Sequence, residues 1–285
     1  MNIAYRFRIY PTEEQKILLG KTFGCCRFLY NQMLNDKIRE YEKTKKMLKN
    51  TPAMYKKEYP FLKEIDSLAL ANVQLHLEKA YKNFFRDPKI GFPRFKSKHQ
   101  SKNSYTTNVV NGNILVESKR IRLPKLKWIA MKKHREPAEG LRLKSVTVSM
   151  EPSGKYFASL LYEGYSCENQ AAEPDYSTAK ILGIDYAMQG MAVFSEKVET
   201  EEAGFFRKNE KRLAREQRKL SRCVRGSHNY ELQKKKVARC HEKIRNQRRD
   251  HLHKLSRKIA DGYDAAAVED IDMKAMGQCL HFGKS

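Results

Sequence analysis

Four sequence features are absent from this 285-residue chain, and each absence argues against a class of protein. No apolar run approaches the roughly 18 residues that a membrane-spanning helix needs, and no signal-peptide apolar region follows the first residues. The six cysteines form no C-x-x-C pair, so their spacing supports neither a disulfide framework nor a zinc ribbon. No residue-level repeat of fixed period is present. We therefore expect a cytoplasmic protein with free thiols, no membrane partner and no zinc site.

Acidic residues are scarce relative to basic ones. The chain has 57 Lys and Arg against 33 Asp and Glu, which gives a formal net charge of +24 at pH 7. This balance favours polyanionic partners and predicts binding that weakens strongly as salt rises. Because the basic residues are spread over several elements, nucleic acid is favoured over a membrane surface. With 40% hydrophobic residues, the chain also has enough apolar side chains for real cores.

Changes in pattern along the chain predict an α+β multidomain protein. Residues 11–86 carry apolar side chains at helical spacing and predict a helical domain. Residues 1–10 and 87–178 show strand patterns and turn residues instead, which suggests a small antiparallel β-barrel that the helical domain interrupts. Residues 179–285 return to apolar strands and long basic helices, the pattern of an α/β domain.

Local signals place the start of several elements. Thr12 and Gln15 form a capping box, so a long helix is expected to begin there. Ser67 is expected to cap a second helix. The dipeptide Asn111-Gly112 is the strongest short hairpin signal, and it predicts that the segments on its two sides pair as strands.

Two apolar runs in the last part of the chain each end in a carboxylate. Asp185 closes the run ILGID, and Glu269 closes a buried strand that we expect to begin at Asp264. After Asp185 the pattern predicts two further strands, the second near Phe205, and then two long basic helices. A strand-end Asp, antiparallel strands, helices and an acidic strand end follow one another in the order of an RNase H-like core.

Carboxylates at the ends of buried strands predict a site for Mg²⁺ or Mn²⁺, because two-metal phosphodiester hydrolysis uses such ligands. We assign Asp185 and Glu269 to catalysis and to metal binding. Two alternatives stay open. An Asp at a strand end also serves loops and helix caps in many α/β proteins, and Asp270 and Asp272 lie close enough to Glu269 for one of them to be the ligand instead.

Nucleic-acid contacts are predicted where cations alternate with aromatic or short polar side chains. The segment GFPRFKSKHQSKNSYTT and the two basic helices supply cations, and the helix near Ser67 supplies polar groups for base edges. The residues assigned to this role are Ser67, Asn72, Gln74, Arg94, Lys96, Lys98, Tyr105, Gln217, Arg218, Arg222, Arg245, Arg248 and Arg249. The alternative is that the charged rows are solvated faces and that the aromatic rings belong to the barrel core.

Specific motifs are spread from one end of the chain to the other. They are YRFRIYPTEEQ, CRFLYN, LKEIDS, AYKNFF, GFPRFKSK, LGIDYA, QRKLSR, KVARCHEKIRNQRRDHLHKLS and VEDIDMKAM. In their order and number they resemble the TnpB (OrfB) proteins of bacterial insertion sequences, a family related to the type V CRISPR effectors. The resemblance covers essentially the whole chain.

The resemblance implies a bilobed RNA-guided DNA endonuclease whose partners are a guide RNA and a target DNA. It implies that the barrel is a wedge domain, that the inserted helical domain is a recognition domain and that residues 179–285 form a RuvC-type nuclease domain. Two of the family's three RuvC carboxylates fall on Asp185 and Glu269. The third carboxylate, and the zinc ribbon before it, have no counterpart up to Ser285. We therefore expect an incomplete nuclease domain that does not cleave DNA as it stands.

Two other functions remain open from the sequence. One is a protein that binds DNA under RNA guidance without cleaving it, or a decayed transposase fragment. The other is an actin-like ATPase, whose fold also begins with a strand like GIDYA over a nucleotide phosphate. That fold needs a second Gly-rich phosphate loop, and the sequence contains none.

Overall fold

The structure is a computed structural model, and it describes residues 2–98, 101–164, 178–186, 192–198 and 204–270. The chain divides into two compact units, Met1–Cys167 and Glu168–Ser285. Across the described ranges the protein is mixed α/β, with one large antiparallel sheet, one small sheet and five α-helices. No helix in these ranges combines the length and the apolar character that crossing a membrane requires. Of the polar stretch 165–178, only Thr178 lies within the described part.

The strands of the first unit form a seven-stranded antiparallel sheet. They are β1 (Asn2–Tyr10), β2 (Asn103–Asn108), β3 (Leu115–Val116), β4 (Arg120–Leu123), β5 (Lys127–Lys132), β6 (Arg142–Met150) and β7 (Tyr156–Glu163). Their spatial order is β2-β6-β7-β1-β5-β4-β3. In the described residues this order is open at β2 and β3, so closure into a barrel stays a prediction.

Strand β1 lies in the middle of this sheet. It pairs with β7 from Asn2 opposite Glu163 to Ile9 opposite Tyr156, and with β5 along its other edge. Phe7 and Ile9 are 1% and 2% exposed, so the alternation in the sequence reflects one buried face. The first residues of the chain therefore join the sheet that is otherwise built after the helices, as the sequence predicted.

Helices fill the sequence between β1 and β2. They are α1 (Glu13–Thr44), α2 (Pro52–Glu58) and α3 (Ser67–Arg86), with short 3₁₀ helices at Pro60–Glu64 and Pro88–Ile90. Helix α1 begins at the predicted capping box: Gln15 N donates to Thr12 Oγ1 at 3.3 Å, and Thr12 N donates to Gln15 Oε1 at 3.0 Å. Local side-chain chemistry therefore sets where this long helix starts.

The hydrophobic core of the first unit is continuous across the helices and the sheet. Leu29 and Met33 of α1, Leu70 of α3, and Ile121 and Leu160 of the sheet are all 0% exposed and belong to one cluster. The sequence patterns separate a helical segment from the strands, but the two share this core. Periodicity identifies the type of each element, whereas the shared core is a product of tertiary packing.

Helix α3 is capped one residue earlier than predicted. The N-cap is Asp66, whose carboxylate accepts a hydrogen bond from Leu68 N at 3.0 Å, and Ser67 is the first helical residue. A carboxylate at this position satisfies a free amide and also interacts favourably with the helix dipole. Asp66 therefore takes the capping role that the sequence had assigned to Ser67.

The hairpin predicted at Asn111-Gly112 is wrong, although the turn is present. Asn111 and Gly112 have φ values of 49° and 69°, and Asn113 N donates to Val110 O at 3.1 Å. The flanking segments pair elsewhere, β2 with β6 and β3 with β4. Strand β2 forms six residue pairs with β6, whereas β3 is only two residues long, so tertiary pairing outweighs the local turn signal.

The second unit contains a three-stranded sheet and two long helices. Its elements are β8 (Ile181–Tyr186), β9 (Ala192–Phe194), α4 (Phe205–Ser221), α5 (His228–Gly262) and β10 (Ala265–Val268). Strand β8 is central in the order β10-β8-β9, with β10 parallel to it and β9 antiparallel. The predicted strand at Asp185, the following strand and the two basic helices are therefore present.

Two expectations for the second unit are wrong. Phe205 is the first residue of α4 and does not lie in a third strand. Its ring packs against α5, where the centres of the Phe205 and His251 rings lie 5.5 Å apart, and this contact favours the helix at this position. Strand β10 is not buried. Ala266, Ala267 and Val268 are exposed, since β10 is an edge strand among the described residues.

Candidate functional site

The pairing of β8 with β10 places two carboxylates at the same end of the small sheet. The last pair of the register is Val268 with Ile184, and Glu269 and Asp185 are the residues that directly follow this pair. Neighbouring strands lie about 4.8 Å apart, and residues paired across parallel strands point to the same face. Both carboxylates are exposed. This register also favours Glu269 over Asp270 as the partner of Asp185, because alternation sends Asp270 to the opposite face.

Gly183 lies on the same face of β8 as Asp185, two residues earlier. Its amide donates to Ser195 Oγ at 2.9 Å, and Ser195 N donates back to Gly183 O at 2.9 Å. A Cβ on Gly183 would lie 3.2 Å from Ser195 Cβ, which is tighter than most real contacts. The missing side chain therefore lets the chain after β9 approach the strand that carries Asp185.

The donor set at this edge suits a hard divalent cation. Carboxylate oxygens are the ligands that Mg²⁺ and Mn²⁺ prefer, and Mg²⁺ is commonly held by one or two carboxylates with water and substrate phosphates in the remaining positions. In the part of the chain that the structure describes, no group of three or more His, Cys, Asp or Glu side chains is placed to hold a metal. The exposed pair Asp185 and Glu269 fits a hydrated ion that also contacts a phosphate.

Helices α4 and α5 pack against each other around a small apolar core. Leu213 of α4 lies against Val237, Cys240 and Ile244 of α5, and these four side chains are 4–9% exposed. Val237, Cys240 and Ile244 recur at intervals of three and four residues, so they lie on one face of α5. This packing leaves the other faces of both helices to polar and charged residues.

A buried polar pair joins the two helices beside this core. Gln233 Nε2 donates to Glu216 Oε2 at 2.7 Å and to Glu216 O at 3.0 Å, and the two residues are 7% and 9% exposed. The hydrogen bond from Gln233 lowers the pKa of Glu216, and the nearby cations Lys219, Arg215 and Lys236 add to this. The pair therefore fixes how the helices align and favours the ionised carboxylate.

The residues of this helix pair that were assigned to nucleic acid all lie on its outer faces. The exposed set comprises Gln217, Arg218, Arg222, Arg245, Arg248 and Arg249. Arg218 and Arg222 are one helical turn apart, as are Arg245 and Arg249, so each pair lies on one side of its helix. Cations in such rows suit successive phosphates of a nucleic-acid backbone. The helix pair thus presents charge outward while its apolar stripe is buried.

Two polar residues assigned on α3 are engaged with neighbouring side chains. The Ser67 hydroxyl accepts a hydrogen bond from Lys56 Nζ at 2.8 Å, and Gln74 Nε2 donates to Glu78 Oε1 at 2.8 Å. Ser67 is exposed and Gln74 is half-buried. Both lie near the surface, and their role in reading bases stays a prediction.

In the basic segment before β2, two of the three cations that were assigned to nucleic acid are exposed and one is half-buried. Arg94 and Lys98 are exposed, whereas Lys96 is half-buried and its Nζ lies 3.8 Å from the centre of the Tyr30 ring. Asn31 holds the Lys96 backbone, because its Oδ1 accepts from Lys96 N at 2.7 Å and its Nδ2 donates to Lys96 O at 2.9 Å. Burial lowers the pKa of Lys96.

Asn72 and Tyr105 do not lie on an open surface. They are 7% and 5% exposed. Asn72 Nδ2 donates to Leu68 O at 2.9 Å, and the Tyr105 ring lies 6.0 Å from that of Phe23 within the core. Tyr105 is on the inward face of β2, so its ring follows the alternative that the sequence left open, a core aromatic.

A pocket of about 190 Å³ lies where α1, α3 and β2 meet, and three assigned residues line it: Asn72, Lys96 and Tyr105. Further lining residues, to which the sequence assigned no role, are Arg27, His76, Ser104 and Thr106. Arg27 lies on α1, His76 on α3, and Ser104 and Thr106 on β2. No local spacing connects them, so only the packing of these elements reveals the site.

Exposed strand-end carboxylates together with cationic helix faces are features of a protein that acts on nucleic acid. The family model OrfB_IS605, described as "Probable transposase", matches residues 164–279. InsQ of Escherichia coli (strain K12), named as a candidate RNA-guided DNA endonuclease, is 32% identical over 96% of this chain and 67% of its own length. A protein of Streptomyces pristinaespiralis, also named as a candidate RNA-guided DNA endonuclease, is 32% identical over 95% of this chain and 67% of its own length. The chain belongs to the TnpB (OrfB) family, which confirms the resemblance.

Three further matches concern parts of the chain or distant structures. The virulence protein VsdF of Salmonella dublin is 37% identical over 34% of this chain and 93% of its own length. The cryo-EM structure of a Cas12f1-sgRNA-target DNA complex matches 98% of this chain and 75% of that chain, at 13% identity and a TM-score of 0.31. A score of that size supports no conclusion about the fold. The model HTH_OrfB_IS605, described as "Helix-turn-helix domain", matches residues 1–46, where the described structure is β1 followed by the single helix α1.

Proposed function

We propose that this chain belongs to an RNA-guided DNA endonuclease of the TnpB type and supplies Asp185 and Glu269 as ligands of the catalytic metal. The observation that carries the proposal is the parallel register of β8 and β10, whose last pair, Ile184 with Val268, directly precedes Asp185 and Glu269. The names of InsQ and of the Streptomyces relative support the same activity. The partners are a guide RNA and a target DNA, as the cationic surfaces favour.

Each part of the chain takes a distinct role in this proposal. Residues 1–10 and 87–178 form the wedge domain, with the seven-stranded sheet as the described part of a barrel. Residues 11–86 form the recognition domain, and residues 179–285 belong to a RuvC-type, RNase H-like nuclease domain. The order of the small sheet, with a central Asp-bearing strand between an antiparallel and a parallel neighbour, supports the last assignment.

The chemistry at the strand edge follows from the exposed carboxylates. A bound Mg²⁺ or Mn²⁺ would stabilise charge on the scissile phosphate and favour a hydroxide nucleophile. Asp185 is fixed by β8, and Glu269 directly follows β10, so each carboxylate is positioned by a strand and both are open to an incoming phosphate. The exposed cations of α4 and α5 would hold the nucleic-acid backbone.

A second candidate function is RNA-guided DNA binding without cleavage. It is favoured by the placement of the assigned cations, which lie on α4, α5 and the segment before β2 and not on the two strands that end in Asp185 and Glu269. Binding through these surfaces therefore does not require the carboxylates. The two candidates share the same partners and differ only in whether the phosphodiester bond is broken.

One experiment separates the two. The purified chain is combined with a guide RNA from its own locus and a matching DNA, with Mg²⁺ or Mn²⁺, and both DNA retention and cleavage are measured. Cleavage that Asp185→Asn and Glu269→Gln abolish, with retention unchanged, supports the endonuclease. The matched control is Asp270→Asn, which removes the neighbouring carboxylate on the opposite face and should leave cleavage intact.

The remaining outcomes are equally informative. Guide-dependent retention without cleavage at any metal concentration would select the second candidate. If Asp270→Asn abolished cleavage and Glu269→Gln did not, Asp270 and not Glu269 would be assigned as the metal ligand. Binding that ignores the guide and depends only on salt would contradict both functions.

A further inference from the structure

The pocket between α1, α3 and β2 carries positive charge that its own lining does not offset. Arg27, Lys96 and Lys102 line it, and none of the lining residues is an Asp or a Glu. Within the described ranges, none of these three cations takes part in an ion pair. Concave sites lined by one sign of charge concentrate ions of the other sign, so this pocket favours an anion.

The surroundings of the pocket leave that charge available. Burial lowers the pKa of Lys96, and burial also lowers the pKa of His76, to which the charges of Lys96 and Lys79 contribute. Asp66 lies close to this region, but its carboxylate already accepts hydrogen bonds from Leu68 N and from Thr107 Oγ1. An incoming anion would therefore relieve the unfavourable burial of Lys96 without competing with an existing ion pair.

The pocket is too large for a bare phosphate, and its lining combines polar and apolar side chains. Its volume of about 190 Å³ exceeds the ~150 Å³ of an engineered cavity that holds benzene. Phe23, Ala69 and Val73 form an apolar wall, while Ser104 and Thr106 contribute hydroxyls. A planar ring against the apolar wall, with hydrogen-bonding groups at its edge and a phosphate on the cations, satisfies all three parts of the lining.

We propose that this pocket binds one unpaired nucleotide of a nucleic-acid strand, with its phosphate on Lys96, Arg27 and Lys102 and its base against Phe23 and Val73. The proposal rests on the proposed function for its partner, and it adds a specific site to it. The pocket belongs to the first unit, whereas Asp185 and Glu269 belong to the second. It therefore needs no metal and no cleavage.

The test uses the full chain and a labelled single-stranded uridine RNA of about ten nucleotides, a length within the range that single-strand sites cover. Binding is followed by fluorescence anisotropy without guide RNA, target DNA or divalent metal. Lys96→Met should weaken binding roughly tenfold, because a charge-assisted contact to phosphate is lost. Lys57→Met is the matched control: it removes the same charge from an exposed position of α2 and should change binding by less than about twofold.

A second pair of variants tests the pocket by charge alone. Ser104→Asp places a carboxylate at the pocket lining, and Ser104→Asn places a neutral group of nearly the same size there. The Asp variant should bind at least about tenfold more weakly than the Asn variant, because only its charge repels phosphate. Circular dichroism of each variant checks the fold, and Lys96→Arg should restore binding because it keeps the charge.

Competition identifies which part of the ligand the pocket holds. Uridine 5′-monophosphate should displace the RNA better than either uridine or inorganic phosphate, since it carries both ring and phosphate. If Lys96→Met and Lys57→Met weakened RNA binding equally, or if the two Ser104 variants bound RNA equally well, the proposal that RNA binds in this pocket would be rejected. If inorganic phosphate competed as well as the nucleotide, the pocket would be a site for anions and not for a nucleotide. Failure of guided cleavage alone would affect none of these readouts, so the two proposals fail separately.

Discussion

Asp66 and Thr107 connect the start of helix α3 to strand β2 through one buried carboxylate. Thr107 Oγ1 donates to Asp66 Oδ2 at 2.5 Å, while Asp66 Oδ1 accepts from Leu68 N at 3.0 Å. Thr107 is 0% exposed and Asp66 is 8% exposed. A single side chain thus caps the helix and ties it to the sheet, and this link holds two walls of the cationic pocket in place.

Thr107→Val should lower the free energy of unfolding of the first unit by about 1–3 kcal/mol, because valine keeps the shape but leaves a buried carboxylate oxygen without its donor. Urea unfolding followed by tryptophan fluorescence measures this, since the one tryptophan of the chain, Trp128, lies in the first unit. Asn at position 66 can still cap the helix, so Asp66→Asn should lower the free energy of unfolding less than Asp66→Ala does. Equal losses in Asp66→Asn and Asp66→Ala would show that the cap contributes little.

Gln15 anchors the first turn of α1 to the strand that it faces. Its Nε2 donates to Leu126 O and to Trp128 O, both at 2.9 Å, while its Oε1 serves the capping box. Gln15→Glu keeps the capping oxygen but removes both donated bonds, so stability should fall by about 2 kcal/mol. The fluorescence of Trp128 should report this unfolding. The exposed Glu14→Gln is the control, and a loss no greater than in that variant would rule out the anchor.

The Glu216–Gln233 pair predicts acid sensitivity of the α4–α5 helix pair. The hydrogen bond from Gln233 lowers the pKa of Glu216 in the folded protein. The carboxylate therefore contributes stability above its unfolded pKa, and this contribution is lost as the pH falls through the lower folded pKa. Gln233→Leu should reduce stability at neutral pH and reduce the further loss in acid.

Thermal unfolding followed by circular dichroism, at pH values between about 6 and 3, tests this dependence across the range where carboxylates titrate. Glu231→Gln is the control, because Glu231 is an exposed acidic residue in the first turn of α5. If the wild-type and Gln233→Leu chains lost the same stability on acidification, the pair would not be the source of the acid sensitivity.

Gly183→Ala should weaken the contact between β8 and the segment after β9. The new Cβ would lie 3.2 Å from Ser195 Cβ and 3.3 Å from Ser195 Oγ. Accommodating it should cost about 1 kcal/mol and shift the strand that carries Asp185. Faster amide exchange in β8 would show the weakening, and adding Ser195→Gly should relieve it. Gly20→Ala in α1, where nothing lies within 4 Å of the new Cβ, should instead stabilise the chain by about 0.5–1 kcal/mol.

The proposed metal ligands were accessible to sequence reasoning because each carboxylate stands at the end of its own apolar run. Asp185 and Glu269 needed no knowledge of distant contacts beyond the rule that parallel strands present their carboxyl ends at one edge. What the sequence left open was the choice between Glu269 and its acidic neighbours. The pairing of Val268 with Ile184 supplies the register that favours Glu269.

The pocket between α1, α3 and β2 was not accessible in the same way. Lys96 and Tyr105 were assigned from one basic segment and Asn72 from the helix near Ser67, whereas no pattern singled out Arg27 or His76. Asn72 and Tyr105 were expected to meet nucleic acid at the surface, yet both are buried. Burial depends on which elements pack together, and no local pattern encodes that α1, α3 and β2 converge.

By itself the sequence determined the type and extent of the elements whose signals are local. These signals are the capping box at Thr12, the alternation of β1 and the carboxylates after two apolar runs, and all of them are properties of short segments. The tertiary structure decided the pairing of β2 with β6 instead of β3, the shared core of helices and sheet, and the gathering of cations around one pocket. These depend on free energy gained between segments far apart in the chain, which outweighs local preference wherever the two conflict.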